Sequence, residues 1–103
     1  MKKITTKNAP AAIGPYSQGI ISGDFVYCSG QIPVNPETGL PAEGEIEAQA
    51  EQSCKNVAAV LEAAGTGMDK VVKTTCFLAD MADFAVFNEV YAKYFVSNPA
   101  RSC

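Results

Sequence analysis

The residues with the clearest chemistry lie in one short segment, Pro99-Ala100-Arg101-Ser102-Cys103. Arg101 is the only arginine in a chain that has no histidine. A guanidinium keeps its charge and can hold a carboxylate through two parallel hydrogen bonds, whereas a lysine offers only a point charge. Arg101 is therefore a candidate clamp for a small anion, although a single arginine in a tail is more often a solvated surface residue.

The four cysteines do not form a metal-binding pattern. They stand at Cys28, Cys54, Cys76 and Cys103, with no CxxC pair and no histidine to complete a zinc site. The first three lie in apolar patterns, which predicts buried free thiols in a reducing cytoplasm. We therefore expect neither a metal nor a disulfide framework.

Length and charge limit the classes of function. The 103 residues fit one domain, 1–103, and the net charge of −3 comes with lysines that form no run. A nucleic-acid-binding surface is therefore not expected. No apolar run is long enough for a secretory signal or a membrane span. The high apolar fraction, 48%, favours association with further copies of the chain.

The first part of the chain alternates short apolar runs with turn residues. One strand is predicted around Ile4, and two more are predicted over 18–22 and 25–29. Gly23-Asp24 between them is typical of a tight hairpin turn, because glycine accepts the positive φ that the turn requires. Ser29 and Gly30 follow, where a hydroxyl lies beside a backbone that another group can approach. An ordinary strand ending is the simpler interpretation of these two residues.

Two later segments have the apolar spacing of helices. One runs from Glu45 to Ala64, and the other begins after Asp80 and Asp83, where acidic residues suit a helix start. Between them, residues 71–79 are rich in β-branched and aromatic side chains, which predicts a strand. The second helix carries an aromatic face that predicts core packing, made of Phe84, Phe87, Tyr91 and Phe95.

This order of elements predicts an α+β fold in which two helices cover one face of a mixed β-sheet. The strand at 71–79 would run parallel to an earlier strand if the preceding helix is a crossover. The opposite face would carry Val26, Cys28, Thr74 and Cys76, or their neighbours. Identical chains packing together would be the simplest cover for such a face.

Four segments, taken together, have a distinctive order and spacing. They are Gly14-Pro15-Tyr16-Ser17-Gln18, Cys28-Ser29-Gly30-Gln31-Ile32-Pro33, Phe87-Asn88-Glu89-Val90-Tyr91 and Pro99-Ala100-Arg101-Ser102-Cys103. In these segments the sequence resembles the RidA family, also called YjgF, over essentially its whole length. The resemblance implies a small chorismate-mutase-like α+β fold and a barrel-cored homotrimer with sites between subunits. It also implies cofactor-independent hydrolysis of enamines and imines, such as 2-aminoacrylate, 2-iminopropanoate and 2-iminobutanoate, to 2-keto acids and ammonia.

The same resemblance assigns roles to single residues. Arg101 matches the family arginine that holds the substrate carboxylate, and the backbone at Cys103 matches a contact to the reacting end. Tyr16, Ser29 and Gly30 match residues that line the cleft, and Asn88 matches a helix residue near it. Phe87 is expected to contribute to the apolar wall. Family members continue past the position of Cys103 through a strand pair that carries a glutamate assigned to orient the attacking water. A truncated form of a longer protein is therefore expected.

Three other interpretations stay open. Cys103 could add to the imine as a thiolate, although the chain has no histidine to activate it. The trimer could bind small carboxylates, or act as a chaperone, without catalysis. An endoribonuclease, a label that relatives have carried, is disfavoured because the chain is acidic and lacks a basic stripe.

Overall fold

The computed structural model describes all residues, 1–103, and has the predicted α+β composition. Its first strands are β1 (Lys2–Ile4), β2 (Gly19–Ser22) and β3 (Phe25–Cys28), followed by the long helix α1 (Ile46–Ala63). The remaining elements are β4 (Lys73–Thr75), α2 (Phe84–Tyr94) and β5 (Ala100–Ser102). Short 3-10 turns at Met68–Lys70 and Met81–Asp83 precede β4 and α2. Neither helix is long and apolar enough to cross a membrane.

The strands form two groups. β1, β2 and β3 make an antiparallel sheet, in which the predicted hairpin turns at Gly23 with a φ of 60°. β4 and β5 make a parallel pair, with Thr74 opposite Arg101. The parallel partner of β4 is therefore β5 and not an earlier strand. The reason is that α2, and not α1, is the crossover helix between two paired parallel strands.

Strand β4 is shorter than the predicted 71–79, because a strand also needs a partner backbone and β5 supplies one only at Ala100–Ser102. One further ladder bond continues past the strand, where the Cys76 amide donates to the Ser102 carbonyl at 2.8 Å. Phe77, the next residue, is 92% exposed. Composition alone predicts extended backbone here, but pairing decides its length.

Helix α1 matches its predicted range to within one residue at each end and divides the core into two clusters. Toward the antiparallel sheet, Val60 is fully buried against Ile4 and Ala9. Toward α2, Cys54 packs with Tyr91 and Phe95, whose rings stack with centroids 4.3 Å apart. Three residues of the predicted aromatic face, Phe87, Tyr91 and Phe95, therefore form core as predicted. Phe84 is half-buried outside this cluster, and with Tyr91 it forms the floor beneath β5.

Cys28 and Cys76 do not lie on the outward face of the strands, and for Cys28 the outward face carries its neighbours in sequence instead. Cys28 packs against the Val60 cluster and Cys76 against the Tyr91 cluster, so both point toward the helices. Because side chains alternate along a strand, Phe25 and Tyr27 point the other way and are 57% and 63% exposed. This leaves an uncovered aromatic surface opposite α1.

Candidate functional site

The guanidinium of Arg101 is held at the surface by α2. β5 places it over the aromatic face, with its central carbon 4.8 Å from the Tyr91 ring centroid and 5.2 Å from that of Phe84. Cation–π contacts of this kind contribute about 0.5–1 kcal/mol at exposed sites. Nη1 donates a hydrogen bond of 2.7 Å to Asn88 Oδ1. The side chain is therefore oriented by three residues of one helix.

The ring beneath Arg101 is itself fixed from the other side. Tyr91 is buried, and its hydroxyl shares a 2.6 Å hydrogen bond with Thr74 Oγ1 on β4. Thr74 lies opposite Arg101 in the parallel pair, so the two strands and the helix meet at this point. Sequence reasoning gave Tyr91 only a place in the core. Its hydroxyl, the one polar group in the aromatic stripe, was the available signal for this second role.

The arrangement leaves Arg101 with binding capacity for an anion. A guanidinium has five N–H donors, and the contact to Asn88 uses one of them. Asn88 is a neutral amide, so this contact orients the side chain without neutralising its charge. Arg101 is exposed, and a carboxylate can approach its remaining donors in the two-bond geometry that arginine favours.

Two more predicted residues lie beside Arg101. Phe87 is half-buried and packs against Tyr91, with ring centroids 5.8 Å apart, so it contributes to the apolar floor. Cys103 is exposed and follows β5 directly. Arg101, Asn88, Phe87 and Cys103 therefore form one group, which we call the arginine group.

The remaining predicted residues lie around the carboxyl end of β3. Tyr16 and Ser29 line an open cleft of about 880 Å³, together with Lys3, Ile20 and Tyr27. The Ser29 hydroxyl donates to the Ser17 carbonyl at 2.5 Å, and the Tyr16 hydroxyl accepts from the Ile13 amide at 3.3 Å. All residues that line this cleft lie within 1–29, so none of them belongs to the arginine group.

Gly30 has no steric reason within the chain to be glycine. A Cβ atom built at this position would meet nothing within 4 Å, so the chain itself leaves the space beside it open. A glycine here predicts a close approach of another group to this backbone. Within one chain no group makes that approach. We call Tyr16, Ser29, Gly30 and the cleft beside them the tyrosine group.

A buried glutamine that sequence reasoning missed shapes the loop before the cleft. Gln18 is 4% exposed, and its Oε1 accepts from the Thr6 amide at 2.7 Å. Its Nε2 donates to the carbonyls of Thr6, Ala9 and Pro10 at 3.0, 3.2 and 2.8 Å. A buried amide with all these partners stabilises the fold, whereas an unpaired one would destabilise it.

A second buried amide does the same for the loop after β3. Asn56 on α1 is fully buried and donates to the carbonyls of Ile32 and Val34 at 3.1 and 2.9 Å. Gln52 donates to its Oδ1 at 2.9 Å. Asn56 lies beside the predicted apolar stripe of α1. Its burial could not be predicted from the sequence, because a polar residue beside such a stripe is usually exposed. It anchors the chain that follows Gly30.

Of the three thiols predicted to be buried, only Cys54 is, whereas Cys28 and Cys76 are half-buried. The thiols of Cys28 and Cys54 are nevertheless held in their neutral form. Desolvation raises the pKa of Cys28 to about 11. Desolvation, with Glu51 and Cys76 nearby, raises the pKa of Cys54 to about 12. Since the thiolate is the nucleophile and the metal ligand, neither thiol is activated at neutral pH. No group of three or more histidine, cysteine, aspartate or glutamate side chains is placed to hold a metal ion.

Comparison with known proteins assigns the chain to a family. The sequence model of the family described as Endoribonuclease L-PSP matches residues 6–103. The 2-iminobutanoate/2-iminopropanoate deaminase of Salmonella typhimurium is 53% identical over 106 residues, covering 99% of this chain and 82% of the relative. The Escherichia coli protein of the same name is 52% identical over 107 residues, with the same coverage.

Solved structures agree with the sequence comparison. The crystal structure of the yjgF gene product from E. coli superposes with a TM-score of 0.92 at 50% identity, covering 99% of this chain and 83% of that one. The structure of E. coli TdcF with bound serine gives a TM-score of 0.94 at 45% identity, covering 100% and 84%. These matches confirm the fold and the resemblance on which the site residues were assigned. The chain belongs to the Endoribonuclease L-PSP family, the family of the RidA and YjgF proteins.

Proposed function

We propose that this protein hydrolyses reactive 2-imino acids and their enamine forms to 2-keto acids and ammonia, without a cofactor. The substrates are small carboxylates such as 2-aminoacrylate, 2-iminopropanoate and 2-iminobutanoate. The support is family membership together with relatives named 2-iminobutanoate/2-iminopropanoate deaminase at 52–53% identity over nearly the whole chain. The structural observation that carries the proposal is Arg101, fixed by Asn88 and two aromatic rings, with free donors at an exposed edge.

The hydrolysis of an imine needs few catalytic groups from the protein. Water adds to the carbon of the protonated C=N bond, a proton moves to nitrogen, and the C–N bond breaks to leave a ketone and ammonia. The imine is already a strong electrophile, so the protein accelerates the reaction mainly by fixing the carboxylate and placing a water near the carbon. In this proposal Arg101 binds the carboxylate, and the backbone at Cys103 lies at the reacting end.

The complete site needs both groups of residues, and we propose that two copies of the chain supply them. The cleft that Tyr16 and Ser29 line is built from residues 1–29, whereas the arginine group comes from α2 and the segment around β5. A cyclic homotrimer would join the arginine group of one copy to the tyrosine group of the next. It would also give the exposed Phe25 and Tyr27 a cover, and Gly30 a neighbour that approaches its backbone. The free thiols of the chain fit a cytoplasmic location, where disulfides are rare.

The direct test of the proposed activity is release of pyruvate or 2-ketobutyrate from an imine generated in the assay. Imines also hydrolyse in water, so the signal is the rate that the protein adds at matched imine concentration. We expect an added rate proportional to protein concentration and unaffected by EDTA. No added rate with either imine would refute the proposed activity.

Binding without catalysis is the second candidate, favoured by one observation. TdcF, whose fold this chain shares, has been crystallised with serine, a small carboxylate that is not an imine. Calorimetry with serine and with 2-ketobutyrate, beside the imine assay, separates the two functions. Binding together with turnover supports the deaminase, and binding with no turnover identifies a carboxylate-binding protein.

The family description also names an endoribonuclease, which the charge of this chain does not favour. The net charge is −3, and we propose that nucleic acid is not a partner. Contacts to phosphates weaken steeply with salt, because binding releases counterions. We therefore expect no salt-sensitive binding of single-stranded RNA, tested from about 50 mM salt upward. We also expect no cleavage products. Salt-sensitive binding with cleavage would contradict this part of the proposal.

A further inference from the structure

Cys103, a member of the arginine group, has a second thiol as its neighbour, and the proposed hydrolysis uses neither of the two thiol groups. The parallel register pairs Thr74 with Arg101 and Thr75 with Ser102, and the Cys76 amide donates to the Ser102 carbonyl at 2.8 Å. The next residues along the two strands, Cys76 and Cys103, are therefore neighbours across the pair.

Both thiols belong to the same side of the pair. Thr74 and Arg101 contact Tyr91, and side chains two residues apart share a face of a strand. Cys76 accordingly packs against the cluster of Cys54, Tyr91 and Phe95. Neighbouring strands lie about 4.8 Å apart, within the Cα separation of about 4.4–6.8 Å that disulfides span.

The two thiols differ in access and in environment. Cys103 is exposed and Cys76 is half-buried. Burial raises the pKa of the Cys76 thiol and the nearby Cys103 raises it further, whereas the Thr74 hydroxyl and Arg101 lower it. An oxidant in solution therefore meets Cys103 first, with Cys76 placed behind it.

We propose that Cys76 and Cys103 form a reversible intrachain disulfide when the protein meets hydrogen peroxide. The Cys103 thiolate attacks one peroxide oxygen, the O–O bond breaks, and Cys103 sulfenic acid forms while the departing hydroxide becomes water. The sulfur of Cys76 then attacks the sulfur of the sulfenic acid. The S–O bond breaks, and the second hydroxide takes the proton of Cys76 to form water. Two thiols are oxidised and one peroxide is reduced to two waters.

The other two cysteines are poor partners for Cys103. Cys28 packs in the separate cluster around Val60. Cys54 also contacts the Cys76 region, but it is 5% exposed within α1 and does not lie on the strand pair. The proposal rests on this placement of thiols and is independent of the proposed deaminase activity.

The test treats the whole protein with hydrogen peroxide, removes the peroxide with catalase, and measures thiols and mass. We expect loss of two of the four free thiols, a chain lighter by two hydrogen atoms, and full reversal by dithiothreitol. Trypsin cuts after Lys73, Lys93 and Arg101, so the disulfide joins peptide 74–93 to the peptide that begins at Ser102. This linked pair of peptides is absent after reduction.

Matched variants separate the proposed pair from general oxidation. Cys76→Val introduces a β-branched residue, which suits the extended backbone after β4, and should abolish the linked peptides, leaving Cys103 as a sulfenic acid that dimedone captures. Cys54→Ala should form the disulfide within about twofold of the wild-type rate, and Cys28→Ala provides the same control if that variant folds poorly. A disulfide that joins Cys54, a product linked between two chains, or thiols that survive peroxide would each overturn the proposal.

Discussion

Replacing Arg101 with lysine tests the carboxylate clamp while keeping the positive charge. In the structure one guanidinium nitrogen donates to Asn88, and the rest of the fork remains available. A lysine cannot hold Asn88 and also make two parallel hydrogen bonds to a carboxylate. The variant therefore loses at least one charge-assisted hydrogen bond, which contributes about 1.5–3 kcal/mol. This corresponds to a loss of about 10- to 150-fold in kcat/KM for the imine.

The assay measures initial rates of 2-ketobutyrate release from 2-iminobutanoate over a range of imine concentrations. Lys73→Ala is the matched control, because it removes an exposed cation from the neighbouring strand β4, where its ammonium bonds only the Thr74 carbonyl. We expect the control to stay within about twofold of the wild type, because surface substitutions of this kind change little. Equal rates for the wild type and Arg101→Lys would refute the clamp.

Three further changes test neighbouring parts of the account. Asn88→Ala leaves Arg101 without its orienting acceptor, so we expect kcat/KM to fall about tenfold. In Asn88→Asp the new carboxylate pairs with the guanidinium and neutralises it, so we expect kcat/KM to stay below that of the wild type. Cys103→Ala keeps the backbone contact and should cost less than about tenfold, whereas a loss beyond about a thousandfold would indicate covalent catalysis by the thiol. The free energy of unfolding should fall as the pH rises from 9 toward 12. Folding raises the pKa values of Cys54 and Tyr94 to about 12, so both groups lose their protons at a lower pH in the unfolded chain than in the folded one. Urea unfolding across this range measures the slope, and Cys54→Ala should flatten it; an unchanged slope would contradict this assignment.

Local patterns in the sequence predicted the elements well. The apolar spacing of α1 gave its range to within one residue at each end, and Gly23-Asp24 gave the hairpin, because both signals depend on nearby residues. Long-range pairing was not predictable in the same way. The partner of β4 depends on which helix acts as the crossover, and its length depends on β5. The inward direction of Cys28 and Cys76 likewise follows from packing against Val60 and Tyr91.

The site shows the same division. Arg101 was recognisable in the sequence because it is the only arginine. The family resemblance indicated Asn88, whose Oδ1 lies 2.7 Å from Nη1 of Arg101 in the structure. The supports of the site were hidden. Gln18 and Asn56 fix the loops through hydrogen bonds to backbone carbonyls that lie far away in sequence, and no local spacing reveals such partners. The Thr74–Tyr91 contact is hidden for the same reason.

The central claim is that one copy supplies Arg101 and another supplies the cleft beside Gly30, and mixing two inactive variants tests it most directly. Arg101→Ala removes the clamp, and Gly30→Leu places a side chain in the open space beside the cleft, where a Cβ atom meets no group of its own chain within 4 Å. Each variant alone should be inactive while keeping the wild-type oligomeric state by size-exclusion chromatography.

Co-expression or joint refolding of the two variants should restore about one quarter of the wild-type activity, because each shared site draws its two halves independently from the mixture. Mixed oligomers that form but remain inactive would contradict a site shared between copies.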